Sequence, residues 1–318
     1  MRNLLALVAA LMCGTAGAQQ DWPTKPVVMI NPFTAGSAVD VVARLVGGRI
    51  TQNTGRSFVV ENRTGASGNI GTEAAAKAKP DGYTFLVGSP GTMAINPHLF
   101  KTLPYDALKD FVAVTTWVSF PQVLIVNRDL PVKNFDELIA YAKARPGKLN
   151  HASSGSGSTS HLVMELVKAA AGLDIAHVPF RGGSPAVQAV IAGDVQMAVE
   201  GLPSLPGHLK AGSIRPIAVT SLNRAPTLPD VPAISERFKD FDAAAWVILF
   251  APAGTPAQIV ERMAQESARA LADEGVKSKL AEIGASTVGS SPADTAAYHR
   301  RELEKFGRAV KISGAKPE

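Results

Sequence analysis

Four segments rich in glycine and hydroxyl side chains each come directly before a stretch with helical periodicity. They span residues 32–40, 88–92, 153–161 and 181–185. Such a loop offers free backbone N–H groups at the positive end of a helix dipole, which suits a bound anion. Glycine and serine also form ordinary turns and caps, so one such loop is weak evidence. Four of them favour an anion site, and they add Ser89, Thr92 and His161 to the candidate ligand contacts.

For several single residues in and near these loops, the sequence permits both a structural role and a functional one. Asp40 stands three residues after Ser37, the spacing of a capping box, but its carboxylate could also contact a ligand amine or water. Arg181 is a candidate partner for a carboxylate, or else a solvated surface side chain. His161 is more typical of a core or capping histidine than of a catalytic one. Glu200 ends a predicted strand, and it either faces a cleft or lies on the surface.

An exported hydrolase is the main enzymatic alternative, and the sequence argues against it. Residues 182–186 approximate a nucleophile elbow around Ser184, but the next residue is Pro185, which has no N–H to offer an oxyanion. The sequence contains no H-E-x-x-H and no P-loop, and its six histidines include no pair at ligand spacing. We therefore predict no catalytic residues, no metal and no cofactor.

The N-terminus has the organisation of a secretory signal. Arg2 supplies the positive charge, residues 4–12 the apolar region, and residues 16–18 the small side chains that precede cleavage, which we place after Ala18. A lipoprotein anchored at Cys13 is the alternative, and Met12 disfavours it because a small residue normally precedes the lipidated cysteine. This is the chain's one cysteine, so the mature protein is predicted to be periplasmic and without disulfides.

Composition narrows the remaining classes of function. The 318 residues are 46% hydrophobic and 19% charged, which indicates a globular protein large enough for two domains. The net charge of +5 falls to +4 on loss of Arg2, and no lysine- or arginine-rich run accompanies it. Nucleic acid is therefore an unlikely partner, whereas a modest positive field suits a small anionic ligand.

Short apolar strands alternate with helical segments along most of the chain, which predicts an α/β fold with mainly parallel sheets flanked by helices. Two apolar extended stretches, 123–126 and 214–219, delimit a middle βαβ set. We therefore expect residues 19–122 and 221–318 to form a discontinuous first domain and residues 123–220 an inserted second domain. In such a pair of open sheets the natural ligand site is the cleft between the domains.

A series of motifs gives the chain a resemblance to a known family. In chain order they are P-F-T-A-G at 32–36 with Asp40 and Arg44, E-N-R at 61–63, G-A-S-G-N-I-G at 65–71, P-D-G-Y at 80–83, N-P-H-L-F at 96–100, L-P-Y-D at 103–106, S-S-G-S-G at 153–157 with His161, V-P-F-R-G-G at 178–183 and A-P-A-G-T-P at 251–256. From about residue 26 to 314, the chain resembles the extracytoplasmic solute receptors of tripartite tricarboxylate transporters, also called the Bug family.

This resemblance implies a monomeric two-domain binding protein, similar to type II periplasmic receptors, that closes on a small organic acid or amino acid and passes it to membrane permease subunits. A sensor for a signalling partner would share the fold. The resemblance places two sets of ligand contacts: Phe33, Ala35, Gly36, Ser37, Asp40, Ser153, Ser154, Gly155, Ser156 and Ser158, and, from the second domain, Phe180, Arg181, Gly182, Gly183 and Glu200. At Ser37, Phe180 and Glu200 the family commonly has Gly, Tyr and Asp, which leaves the identity of the ligand open.

Overall fold

The computed structural model describes residues 22–239, 241–314 and residue 316. The predicted signal peptide, the cleavage point after Ala18 and the alternative anchor at Cys13 lie outside these residues. Within the described ranges, no helix combines the length and the apolar character that a membrane crossing requires.

Eleven strands and ten α-helices make up the described fold. The strands are β1 Val27–Asn31, β2 Phe58–Asn62, β3 Thr84–Gly88, β4 Phe111–Phe120, β5 Gln122–Asn127, β6 Asn150–Ser153, β7 Ala176–Pro179, β8 Met197–Gly201, β9 Ile214–Val219, β10 Ala245–Pro252 and β11 Ser286–Thr287. The helices are α1 Ala38–Thr54, α2 Asn69–Ala76, α3 Asn96–Leu99, α4 Phe135–Lys143, α5 Thr159–Ala171, α6 Gly183–Ala192, α7 Pro206–Lys210, α8 Ala257–Ala272, α9 Glu274–Glu282 and α10 Pro292–Ser313. A π-helical turn, Gly91–Ile95, leads into α3, and 3₁₀ turns occupy Ala66–Gly68, Leu202–Ser204 and Ile234–Glu236.

Two separate sheets confirm the predicted two-layered α/β class. The first has the strand order β11-β4-β10-β3-β1-β2, and the second has the order β7-β6-β8-β5-β9. The parallel pairs β1–β2, β1–β3, β6–β7 and β6–β8 come from the strand–helix alternation that the sequence shows. The glycine- and serine-rich loops that the sequence singles out therefore leave the carboxyl ends of these strands.

Both sheets are mixed, although four of the six strands in the first sheet and four of the five in the second run in one direction, as the expectation of mainly parallel sheets requires. Strand β10 is antiparallel to both β3 and β4, and strand β5 is antiparallel to both β8 and β9. The reason lies in the connection at Pro121, where β4 passes directly into β5 without a helical crossover. A chain that runs straight from one sheet into the other enters the second sheet against the direction of its parallel strands.

Helix α1 shows how local sequence sets the packing of the first sheet. Its fully buried Val42, Val46 and Ile50 recur every four residues and face the sheet core. The hydroxyl of Ser37 caps the first turn, and Gly55 ends the helix in the left-handed conformation that favours glycine. The start of α1 is thereby fixed at the carboxyl end of β1.

The connections between the two sheets meet at Thr220. Its backbone N–H donates to the carbonyl of Gln122, and the N–H of Gln122 donates to the Thr220 hydroxyl at 3.0 Å. That hydroxyl in turn donates to the carbonyl of Ala243 at 3.0 Å. The buried Thr220 side chain therefore ties together three passages of the chain at the hinge position.

The segment that follows Thr220 packs with the second sheet. Ala225, Val231, Ala233 and Ile234 are buried in the hydrophobic clusters of that sheet. We therefore propose that the second domain continues to about Ala243, past the boundary at residue 220 that apolar patterning predicts. The sequence gives little sign of this, because the segment contains no long helix or strand of its own.

We expect Thr220→Val to destabilise the folded protein by about 1–3 kcal/mol, because it leaves the buried N–H of Gln122 and the carbonyl of Ala243 without a partner. Urea denaturation would measure the loss. Thr102→Val, at an exposed position, serves as the matched control. Equal stability of the two variants would contradict the role assigned to the Thr220 hydroxyl.

Candidate functional site

The loop between β1 and α1 is held in place by the Asp40 carboxylate. Asp40 is only 3% exposed and accepts hydrogen bonds from the Gly36 N–H at 3.0 Å, Asn62 Nδ2 at 2.8 Å and Arg44 Nε at 2.9 Å. Burial alone would raise the pKa of Asp40, but these donors outweigh it and hold the pKa below its usual value. The Asp40 N–H donates to the Ser37 hydroxyl, as the predicted cap requires, but the Asp40 carboxylate accepts from Gly36 rather than from Ser37, so Asp40 shapes the loop that ends at Ser37.

Three stacked imidazoles support the loop between β6 and α5. The ring centroids of His161 and His177 are 4.0 Å apart, and those of His177 and His151 are 4.9 Å apart. The Gly157 N–H donates to Nδ1 of His161 at 3.1 Å, and Ser153 Oγ lies 2.6 Å from Nε2 of His177. The stack therefore anchors both ends of this loop from beneath.

This stack requires neutral rings. Burial, together with the neighbouring His177, lowers the pKa of His161 to about 3, and burial also lowers the pKa of His151. A proton on Nδ1 of His161 would remove the acceptor that the Gly157 N–H uses. At neutral pH His161 and His151 therefore contribute uncharged rings to the stack.

Glu200 stands at the end of β8, opposite the first residue of α6. Its side chain is 8% exposed, and Oε1 accepts a hydrogen bond from the Gly201 N–H at 2.9 Å. A methyl group at Gly183 would collide with Oε2, so the start of α6 approaches this carboxylate closely. Burial raises the pKa of Glu200 to about 7, although the bond from Gly201 opposes the shift.

Contacts across the cleft hold the two sheets together in a closed arrangement. The Gly91 N–H donates to Thr159 Oγ1 at 2.9 Å, and Ser184 Oγ donates to the Ala35 carbonyl at 3.1 Å. Ser67 Oγ also donates to the Ser156 carbonyl. The hydroxyl of Ser184, considered above as a nucleophile, thus serves as a contact between the domains.

Between these contacts lies an inner cavity of about 50 Å³. Loops from both sheets contribute to its wall, together with aromatic side chains from the region where the sheets meet. Its lining residues are Phe33, Ser37, Ala38, Val39, Ser89, Pro90, Phe120, Gln122, Ser154, Thr159, Ser160, Gly183, Glu200, Gly201, Ala245 and Trp246. The space fits a small ligand, and a ligand there would touch both domains.

Two lining atoms of the inner cavity are buried polar groups without a hydrogen-bond partner in the described structure. They are Ser89 Oγ and Gln122 Oε1. An unpaired buried polar group carries a free-energy cost, so natural structures rarely retain one without a reason. A ligand that offered a donor or an acceptor to these atoms would remove that cost. They mark the positions at which the cavity is prepared for polar contacts.

An outer cavity of about 440 Å³ adjoins the inner one through Phe33 and Ser154, which line both. Its other walls come from residues 64–68 and from the segment around Phe180 and Arg181. Arg181 is exposed and has no ion-pair partner among the described residues. The outer cavity therefore forms an entrance with one positive charge beside it.

The structure brings ten of the predicted contacts to these cavities. They are Phe33, Ser37, Ser89, Ser154, Gly155, Phe180, Arg181, Gly182, Gly183 and Glu200. The other eight line neither cavity: Ala35 and Gly36 are exposed, and the remaining six, Asp40, Thr92, Ser153, Ser156, Ser158 and His161, are buried. Whether either group contacts a ligand stays a prediction.

Sequence reasoning missed several residues of the inner cavity, among them Gln122, Thr159, Ser160, Phe120 and Trp246. Thr159 and Ser160 belong to a loop that the sequence singles out. Gln122 and Phe120 flank the connection between the sheets, and only the knowledge that the chain crosses there would have pointed to them. In the part of the chain that the structure describes, no cluster of His, Cys, Asp and Glu has a metal-binding arrangement.

Two α/β lobes that close over a small polar cavity define the fold of the periplasmic binding proteins. Residues 42–314 match the model of the tripartite tricarboxylate transporter family receptor, so the chain belongs to that family of solute receptors and the predicted resemblance is confirmed.

Individual relatives agree with this assignment. The "UPF0065 protein in tcbD-tcbE intergenic region" of Pseudomonas sp. (strain P51) is 35% identical over 97% of this chain and 93% of its own length. The structure "R. palustris Rpa4515 with adipate" is 38% identical with a TM-score of 0.91, covering 93% of this chain and 100% of that one. "MatC (Rpa3494) from Rhodopseudomonas palustris with bound malate" is 31% identical with a TM-score of 0.86, covering 91% and 100%.

The histidine stack predicts acid sensitivity. Because the pKa of His161 is lower in the folded than in the unfolded protein, the unfolded chain binds more protons between about pH 6.5 and 3. The free energy of unfolding should therefore fall as the pH falls through this range, by up to about 1.4 kcal/mol per pH unit for this one group. His161→Asn keeps an acceptor for the Gly157 N–H, and we expect its stability to depend less steeply on pH.

Urea denaturation at several pH values between 4 and 7 would measure both slopes. His208→Asn, at a half-buried position away from the stack, is the matched control. An unchanged slope in His161→Asn would show that His161 does not titrate as its surroundings require.

Proposed function

We propose that this protein is a periplasmic receptor that captures a small organic acid between its two domains and delivers it to the membrane permease of a tripartite tricarboxylate transporter. The observation that carries the proposal is the inner cavity, where the unpaired Ser89 Oγ and Gln122 Oε1 lie among the starts of helices from both lobes. Binding without catalysis and a monomeric state belong to the same proposal.

The chemistry of the wall supports an anionic ligand. Ser37 caps helix α1, and Thr159 and Gly183 are the first residues of α5 and α6, positions where backbone N–H groups and the helix dipole favour negative charge. Adipate and malate, the ligands named for two similar structures, are both organic acids. We therefore propose an aliphatic di- or hydroxyacid as the class of ligand.

Closure of the domains supplies the signal to the permease. A ligand that touches both lobes adds binding free energy only in the closed state, so it shifts the open–closed equilibrium toward that state. The contacts Gly91–Thr159 and Ala35–Ser184 form only when the lobes meet. The exposed Arg181 at the entrance would attract the anion before closure.

The proposal is tested by thermal denaturation of residues 19–318 with adipate, malate, citrate and glutamate, each at about 100 times its dissociation constant. Binding to the folded state alone stabilises it by about 2.7 kcal/mol at that ratio, which raises Tm by a few degrees. Adipamide and malamide are the neutral controls. A rise with an acid but not with its amide supports the proposal, and no rise with any acid contradicts it.

Ser89→Ala should weaken the binding of whichever of these acids gives the largest thermal shift. Loss of one hydrogen bond to a charged group costs about 1.5 kcal/mol, roughly tenfold in Kd. Since Ser89 Oγ has no partner in the ligand-free structure, the stability of the free protein should not fall. Isothermal titration calorimetry would compare the variant with Ser57→Ala, a change at an exposed serine. Equal affinities would place the ligand away from Ser89.

A further inference from the structure

The inner cavity contains one ionisable side chain among its lining residues, and that side chain is an acid. Glu200 is buried, its Oε1 accepts from its own neighbour Gly201, and no hydrogen bond to Oε2 is found within the described chain. Such a carboxylate in a cavity proposed to hold an organic anion presents a conflict of charge. Two like charges in a site with little water repel each other strongly.

The elements around Glu200 do not supply a counter-charge. Helix α1 carries Asp40, which is already paired with Arg44, and helix α5 carries His161, which burial keeps neutral. The loop before α6 carries Arg181, which is exposed and lines the outer cavity instead. Strand β5 places the apolar Val123 opposite Glu200.

Strand β10 does not supply a cation to the cavity either. It contributes Trp246 to the wall, and the indole N–H of Trp246 donates to Glu302 on α10. Lys305 is the cation nearest to that pair, and it is bonded to Glu302 and Asp242. Arg44 and Lys305 therefore form ion pairs with other acids, and Arg181 lies beside the outer cavity.

We propose that Glu200 binds an organic acid anion in its protonated form, so that capture of the ligand takes up one proton from solvent. The proton adds to Oε2, which then donates a hydrogen bond to a ligand carboxylate oxygen. On release of the ligand the proton returns to solvent. This inference rests on the proposed function and adds to it the charge state in which the inner cavity accepts its ligand.

The position of Glu200 makes this protonation accessible near neutral pH. Burial raises its pKa to about 7 before any ligand enters, and an anionic ligand would raise it further. Apparent affinity scales with the fraction of the protein in the binding-competent form. Because that fraction falls as the pH rises above the pKa of Glu200, binding should weaken by roughly 25-fold between pH 6.5 and 8.5.

Calorimetric titration of the full mature chain with adipate and with malate, at pH 6.5, 7.5 and 8.5, tests the inference. Glu200→Gln mimics the protonated side chain, and Glu304→Gln, at an exposed position, is the matched control. The carboxyl groups of free acids titrate mostly below this pH range, so the ligands keep nearly constant charge. We expect a roughly 25-fold loss of affinity for the wild type and the control, and none for Glu200→Gln.

A second readout does not depend on the variant. Wild-type titrations at pH 7.5 in two buffers with different heats of ionisation report proton uptake directly, and we expect a positive fraction of one proton per ligand. Binding of either acid without proton uptake, or the same pH dependence in Glu200→Gln as in the wild type, would overturn the inference and leave the proposed function intact. Failure of both acids to bind at any pH would contradict the proposed function itself.

Discussion

The site depends on one constraint, which is that polar groups in a cleft nearly free of water must find partners within the protein or in a ligand. Asp40 meets it with four donors from its own lobe, and the loop before α1 takes its shape from those bonds. The His161 stack meets it for the loop before α5. Ser89 Oγ and Gln122 Oε1 do not meet this constraint, because they are buried without a hydrogen-bond partner in the described structure. We propose that a bound ligand supplies the missing partners.

The parts of this arrangement that are local in sequence could be predicted from it. Ser37 and Asp40 have the spacing of a helix cap, and the structure shows that cap. The alternation of strands and helices gave the two-domain α/β class correctly, because each βαβ unit is built from neighbouring residues. Glycine- and serine-rich loops do line the cleft, since they follow the carboxyl ends of parallel strands.

The parts that depend on distant contacts could not be predicted. Gln122 lines the cavity only because the chain passes from β4 into β5 of the second sheet at that point, a crossing that has no local signal in the sequence. Likewise, His161 shapes its loop through His177, which lies on another strand. Candidate contacts such as Ser153 have the right residue type at the right end of a strand, yet their side chains are committed to loop bonds.

The Glu200 carboxylate and the backbone of Gly183 lie so close together that the residue type at one position restricts the residue type at the other. The family commonly has the shorter Asp at position 200, and the additional methylene of Glu extends the carboxylate toward the start of α6. It fits because Gly183 has no side chain, and a Cβ there would occupy the place of Oε2. Bringing an acid this far into an apolar wall costs desolvation free energy, which protonation relieves. The close approach of Gly183 and the desolvation of the Glu200 carboxylate thus arise from the same contact.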